Sequence, residues 1–133
     1  MRVVLNTNVL ISAFVFPGGA PEEVYRRVLD GRIELVTSRP LLSELGRVLT
    51  GKFDWEPGYA EEVVAQLVRL AVVVDPPRDV VDITDDPADN RVLEAAAEGG
   101  AELIISGDRH LRALVSWRGI RILEPAAFLD ELG

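Results

Sequence analysis

The sequence contains no cysteine. A disulfide framework and a thiolate metal centre are thereby excluded, and a reducing, cytoplasmic setting is expected. Lysine is almost missing as well: Lys52 is the only one among 14 basic residues. The single histidine, His110, lies in a short amphipathic stretch and reads as a surface residue rather than an acid–base catalyst. Apolar stretches such as VLISAFVF fall far short of the roughly 20 residues that span a bilayer. Arg2 ahead of VVL faintly resembles a secretory leader. Two asparagines break the run and no small-x-small cleavage site follows, so neither a leader nor a membrane partner is expected. Positive charge is also scarce, with 14 Lys and Arg against 22 Asp and Glu for a net charge of −8. A general nucleic-acid binder is normally basic, because phosphate neutralisation supplies most of its affinity. The balance opposes that class unless several acids gather around bound cations, which reverse the local sign.

What is present favours a packed globule. Hydrophobic residues make up 48% of the 133 and mean hydropathy is +0.17, enough for one full core and a single domain over 1–133. RVVLN, RIELVT, VVVD, AELIIS and IRIL read as strands, nearly all apolar. TNVLISAF opens a helix after the first strand. Pro21, Glu22 and Glu23 start a second helix that Gly31 stops. Ser38 caps a third over RPLLSELGRVLT. Further helices are predicted over YAEEVVAQLVRLA, NRVLEAAAE, RHLRALV and PAAFLDEL. PPRDVVDITDDPADN is the longest irregular segment, in which Asp82 and Asp85 read as turn chemistry. Apolar strands alternating with helices predict an α/β fold, a three-layer sandwich with a central, mostly parallel sheet. Ligands of such sheets bind beyond the carboxyl ends of the strands, where Asn6 and Asp108 both fall.

Four positions place an oxygen-bearing side chain at a strand end or on a flanking helix: Asn6, Glu44, Asp89 and Asp108. Each alone has an ordinary explanation. Glu44 fits a solvated helix face, Asp89 a helix N-terminus and Asp108 a strand-to-helix cap. Their joint occurrence carries the argument. Phosphodiester hydrolysis adds negative charge to an anionic centre, and divalent ions can activate a water and hold the leaving oxygen. Mg²⁺ and Mn²⁺ prefer carboxylate and water oxygens. Acids from separate elements, held close, repel one another until a cation joins them.

The order of motifs resembles the PIN-domain family: a strand followed by N-T-N and an apolar helix, then S-x-x-x-x-x-E-L, D-D-x-x-D-N-x-x-L-x-A-A and a strand leading to S-G-D-x-x-L. SAFVFPGGAPEEV and DDPADNRVLEAA look most like the toxins of toxin–antitoxin pairs within it. The resemblance implies an endonuclease for single-stranded RNA that uses Mg²⁺ or Mn²⁺, a protein antitoxin as partner, and a homodimer. By position it implies metal ligation by Asn6, Glu44, Asp89 and Asp108, with Asp86 a lesser ligand and Thr7, Asn8 and Ser106 in support. Arg39, Arg47, Arg91, Arg109 and Arg112 lie near these motifs, and one or two of them would contact RNA phosphates. Trp55 reads as a partly buried structural residue, with base stacking or a dimer contact as the rival.

The chain departs from the family at its first motif, where Asn6 stands in place of an aspartate. Asn offers a carbonyl oxygen and no charge, so metal affinity is expected to fall while the fold is indifferent. Three explanations fit: an inactivated variant, a natural form that kept binding and lost catalysis, or weak activity through three carboxylates. The intact remaining motifs favour the first. A non-catalytic RNA- or protein-binding module is the rival class. A phosphotransferase with an aspartyl nucleophile is disfavoured by the missing aspartate and by the lack of a lysine near the later motifs.

Overall fold

Strand alternation divides the core into two halves. The computed structural model describes residues 1–83 and 86–132; Asp85, expected to be structural or solvated, lies outside the described residues. In β1 (Arg2–Leu5), Val3 and Leu5 point into one apolar cluster and Val4 into the other. Successive strand residues face opposite sides, so a strand apolar at every position must be covered on both. The first cluster is filled from α1 (Thr7–Val15), α2 (Ala20–Leu29), α3 (Arg39–Gly51), α4 (Pro57–Leu70) and α7 (Pro125–Leu132). The second is filled from α5 (Asn90–Glu98) and α6 (Arg109–Arg112) together with Val80 and Ile83.

The remaining strands are β2 (Glu34–Ser38), β3 (Val72–Val74), β4 (Leu103–Ile105), β5 (Ser116–Trp117) and β6 (Ile120–Leu123). They form one six-stranded sheet in the order β3-β2-β1-β4-β6-β5, parallel throughout except for β5. The α/β architecture read from the sequence is the one observed. The chain runs outward from β1 through β2 to β3, then returns to place β4 on the other side of β1. A switch point between β1 and β4 results, and open parallel sheets bind ligands at such a point.

Local signals hold well where they are chemical. Ser38 Oγ accepts from Leu41 N at 3.3 Å, capping α3 as its sequence position implies. Gly31 leaves α2 with φ +74°, a conformation open to glycine at no steric cost. The helix expected over RHLRALV is shorter than predicted and stops at Arg112, because the chain turns at Val115 (φ 62°) into β5. β5 was not expected. It pairs with β6 across a two-residue turn, Arg118–Gly119, in which both residues have positive φ (51° and 80°). That backbone suits a tight hairpin, but Arg-Gly is a weak sequence signal for it beside Asn-Gly or Asp-Gly. Among the described residues, no helix is long and apolar enough to cross a membrane.

Candidate metal centre

Asn6 ends β1 and begins α1 at the switch point. Its backbone N–H donates to Ile105 O on β4 at 3.0 Å, and its carbonyl accepts from Val9 N at 2.9 Å. The side chain is 4% exposed, and Nδ2 donates to Ser106 Oγ at 2.8 Å. That hydroxyl, fully buried, also accepts from Asp108 N at 2.9 Å. Ser106 therefore ties the first motif to the last through one oxygen. Thr7 has no such role: its Oγ1 is buried without a hydrogen-bond partner, and Asn8 is exposed. Of the three supporting positions expected from the sequence, Ser106 makes the connection that Thr7 and Asn8 do not.

Asp108 caps a helix and also faces two other acids. Oδ1 caps α6, accepting from His110 N at 2.8 Å and Leu111 N at 3.2 Å. The second oxygen stays outside the cap. Asp86, Asp89 and Asp108 each bring one carboxylate oxygen to a common point, all within 4.8 Å of one another. Asp89 lies on a 3₁₀ turn, Pro87–Asp89, that leads directly into α5, and its side chain makes no capping bond. It is 7% exposed, and Oδ2 is buried with no donor.

The electrostatics follow. Burial, then the hydrogen-bonding reach and charge of Asp108, then the charges of Asp86 and Glu44 push the Asp89 carboxyl up to about 7. Two carboxylates face each other there, and acceptors can bond only if one takes up a proton. Glu44, half-buried on α3, faces this site closely enough for its charge to act on Asp89, but it stands outside the tight group of three. Asp86, the lesser ligand by sequence, is inside it.

The loop that delivers Asp86 is held by residues that the motifs did not mark. Asn90 grips Ile83 at two points: Ile83 N donates to Oδ1 at 2.9 Å, and Nδ2 donates to Ile83 O at 2.8 Å. Buried Glu94 accepts from Val80 N at 3.0 Å and pairs with Arg91 at 2.8 Å. Trp117 Nε1 donates to Asp82 Oδ2 at 2.6 Å, so Asp82 is structural, as expected. An Asn directly after the third acid was the available signal for this clamp. Nothing local marks Glu94 or Trp117.

An all-oxygen set of three converging carboxylates, one with a buried oxygen lacking any donor, fits a hard divalent cation. A larger cavity of about 790 Å³ runs along α4 beside Trp55, Tyr59 and Gln66 and contains none of the proposed ligands. Trp55 itself packs, partly buried, against the first apolar cluster.

Comparison with known proteins bears on the family and the fold. An uncharacterized protein of Methanocaldococcus jannaschii, MJ1680, is 30% identical over 143 aligned positions, covering 98% of this chain and 91% of the relative. PAE2754 from Pyrobaculum aerophilum superposes with a TM-score of 0.60 at 13% identity, covering 98% of this chain and 88% of the other, which speaks to the fold alone. The profile of the PIN domain matches residues 2–110, which include Asn6, Glu44, Asp86, Asp89 and Asp108, and this chain belongs to the PIN-domain family.

Proposed function

We propose that this chain is a metal-dependent endonuclease for single-stranded RNA, the toxin of a toxin–antitoxin pair, with its first ligand position weakened by Asn6. The observation that carries the reading is the convergence of Asp86, Asp89 and Asp108 at the switch point of the sheet, with Asp89 Oδ2 buried and lacking a donor. A bound Mg²⁺ or Mn²⁺ would neutralise charge on the scissile phosphate and make a water more acidic. Asp86, Asp89 and Asp108 would hold the ion, with Glu44 adding negative charge from α3. The proton that Asp89 retains near neutrality must leave as a cation binds, so affinity rises with pH through about 7. Ser106 orients the site by fixing the Asp108 backbone and the Asn6 amide together. Asn6 contributes at most a carbonyl oxygen.

The toxin role and the antitoxin partner rest on the resemblance of SAFVFPGGAPEEV and DDPADNRVLEAA to family toxins, the homodimer on the family resemblance as a whole, and a cytoplasmic site of action on the lack of cysteine. Asn6 itself favours a second reading, a module that binds RNA or protein without cutting. Incubating a mixed-sequence RNA with the parent chain and with Asn6→Asp, with and without Mn²⁺, separates the two. Metal-dependent cleavage by Asn6→Asp is expected, far faster than by the parent and abolished when Asp108→Ala is added. Silence of Asn6→Asp in Mn²⁺ refutes the nuclease and leaves the binding module.

A further inference from the structure

Beside the acids the surface changes sign. A cavity of about 570 Å³ opens between α3 and the segments 75–78 and 87–91, lined by Arg39, Arg47, Arg78 and Arg91. Four of the 14 basic residues thus surround one hollow on a protein of net charge −8. Glu44 stands in its wall, and so do Pro87 and Ala88, which lie between Asp86 and Asp89 in the chain. The hollow therefore adjoins the turn that carries Asp86 and Asp89, although neither of them nor Asp108 lines it.

The four guanidinium groups are unequally committed. Arg91 pairs with buried Glu94. Arg39 approaches Asp75 only at 4.0 Å, with side chains 76% and 74% exposed, a contact of little energetic consequence. Arg47 and Arg78 have no ion-pair partner among the described residues, and both are exposed. Cations gathered in one concavity raise the local positive potential, and that potential is relieved by an anion.

We infer that this hollow holds phosphates of single-stranded RNA that flank the one presented to Asp86, Asp89 and Asp108. The inference rests on the nuclease reading for the direction of the strand's path, while the phosphate contacts themselves need no metal. Guanidinium forks match phosphate oxygens in bidentate geometry. Such contacts position a strand and read no base. The hollow is of small-ligand size, enough for a short stretch of one strand and too small to admit a duplex. It also eases the charge conflict of the composition: three of the 22 acids converge where a cation would offset them, and the arginines would face the polyanion beside it. Of the arginines near the motifs, Arg109 and Arg112 lie outside the hollow, and Arg78, which the motifs did not mark, lies inside.

The test is anisotropy of a short fluorescent oligouridylate titrated with the full chain in millimolar Ca²⁺ across a salt series. The Arg47→Ala/Arg78→Ala double variant is compared with Arg26→Ala/Arg69→Ala, which removes two exposed arginines on α2 and α4. In the first variant Kd is expected to rise about tenfold or more. The slope of log Kd against log salt should fall by about 1.4, at about 0.7 for each phosphate no longer neutralised. Mn²⁺ affinity and the urea midpoint stay unchanged, and the second variant binds like the parent. Equal binding by the first variant, an equal loss in the second, or no binding by the parent overturns the inference. Failure of the nuclease reading is distinguishable. A binding loss in the first variant, with no cleavage by Asn6→Asp, keeps the hollow and removes the enzyme. Cleavage with unchanged binding does the reverse.

Discussion

Replacing Asp89 by Asn removes a charge from the cluster while keeping the shape of the side chain. The Asp89 carboxyl is pushed from 3.8 up to about 7, first by burial and then by Asp108, Asp86 and Glu44. A shift of about three units corresponds to roughly 4 kcal/mol between protonation states. The sign follows from the direction. The folded chain keeps this proton at a pH where the unfolded chain has lost it, so the stability associated with Asp89 is complete below about 3.8 and lost as pH rises to about 7. Asn resembles the protonated acid at every pH, so the variant escapes the loss. Two effects oppose the gain. An aspartate at a helix N-terminus is favoured by the dipole by about 0.3–1 kcal/mol, and water entering the cluster relaxes part of the burial cost. No capping bond is forfeited, because Asp89 makes none. In EDTA and low salt, Asp89→Asn is expected to equal the parent at pH 4 and to exceed it by about 2–3 kcal/mol above pH 7.5. Urea denaturation at closely spaced pH values measures the difference, and saturating Mn²⁺ should narrow it by stabilising the parent alone. A difference that is independent of pH, or a variant weaker than the parent at pH 8, refutes the account of the cluster as mutually repelling acids.

Asn90→Ala strands a buried N–H and a buried C=O of Ile83, and should cost about 2–4 kcal/mol in urea while speeding amide exchange at Ile83. Gly99→Ala should cost about 1–3 kcal/mol, because a Cβ there collides with fully buried Val36 on β2. Asn6→Asp adds a fourth acid to the site, so the metal-free chain should melt lower than the parent and bind Mn²⁺ roughly 10–100-fold more tightly in calorimetric titration. Unchanged melting and affinity together would place position 6 outside the metal centre.

The parallel sheet was legible because it demands a crude signal, apolar residues at every position of several short runs separated by helical patterns. β1 and β4 satisfy that demand, and their two-sided burial in separate clusters is its physical cause. β5 was not legible. Two residues carry no periodicity, and the Arg118–Gly119 turn is held by one tertiary contact, the Trp117 indole on Asp82, and one between neighbours, the Arg118 guanidinium 4.2 Å from the same ring's centroid. Asp82, 35 positions away, lies outside any local window of sequence. The same limit shortened the helix after Asp108, whose amphipathic pattern ran on past the point where the chain was needed for a strand.

At the site, position was easier to read than rank. Strand ends announce themselves, so Asn6 and Asp108 could be placed from the sequence. Which acid faces which depends on the path of the irregular segment before α5, and that path is set by Asn90, Glu94 and Trp117 gripping it from three sides. Those grips bring Asp86 to within 4.8 Å of Asp89 and Asp108 and leave Glu44 one step back. The departure at position 6 also takes on a physical form. Asn6 donates to Ser106, which already accepts from the Asp108 backbone, so the hydroxyl receives two donors. An aspartate there would instead accept the hydroxyl proton of Ser106 while the Asp108 bond persisted. The exchange reverses one hydrogen bond and moves no backbone, which is how a fold can keep its full architecture while losing one charge from its centre.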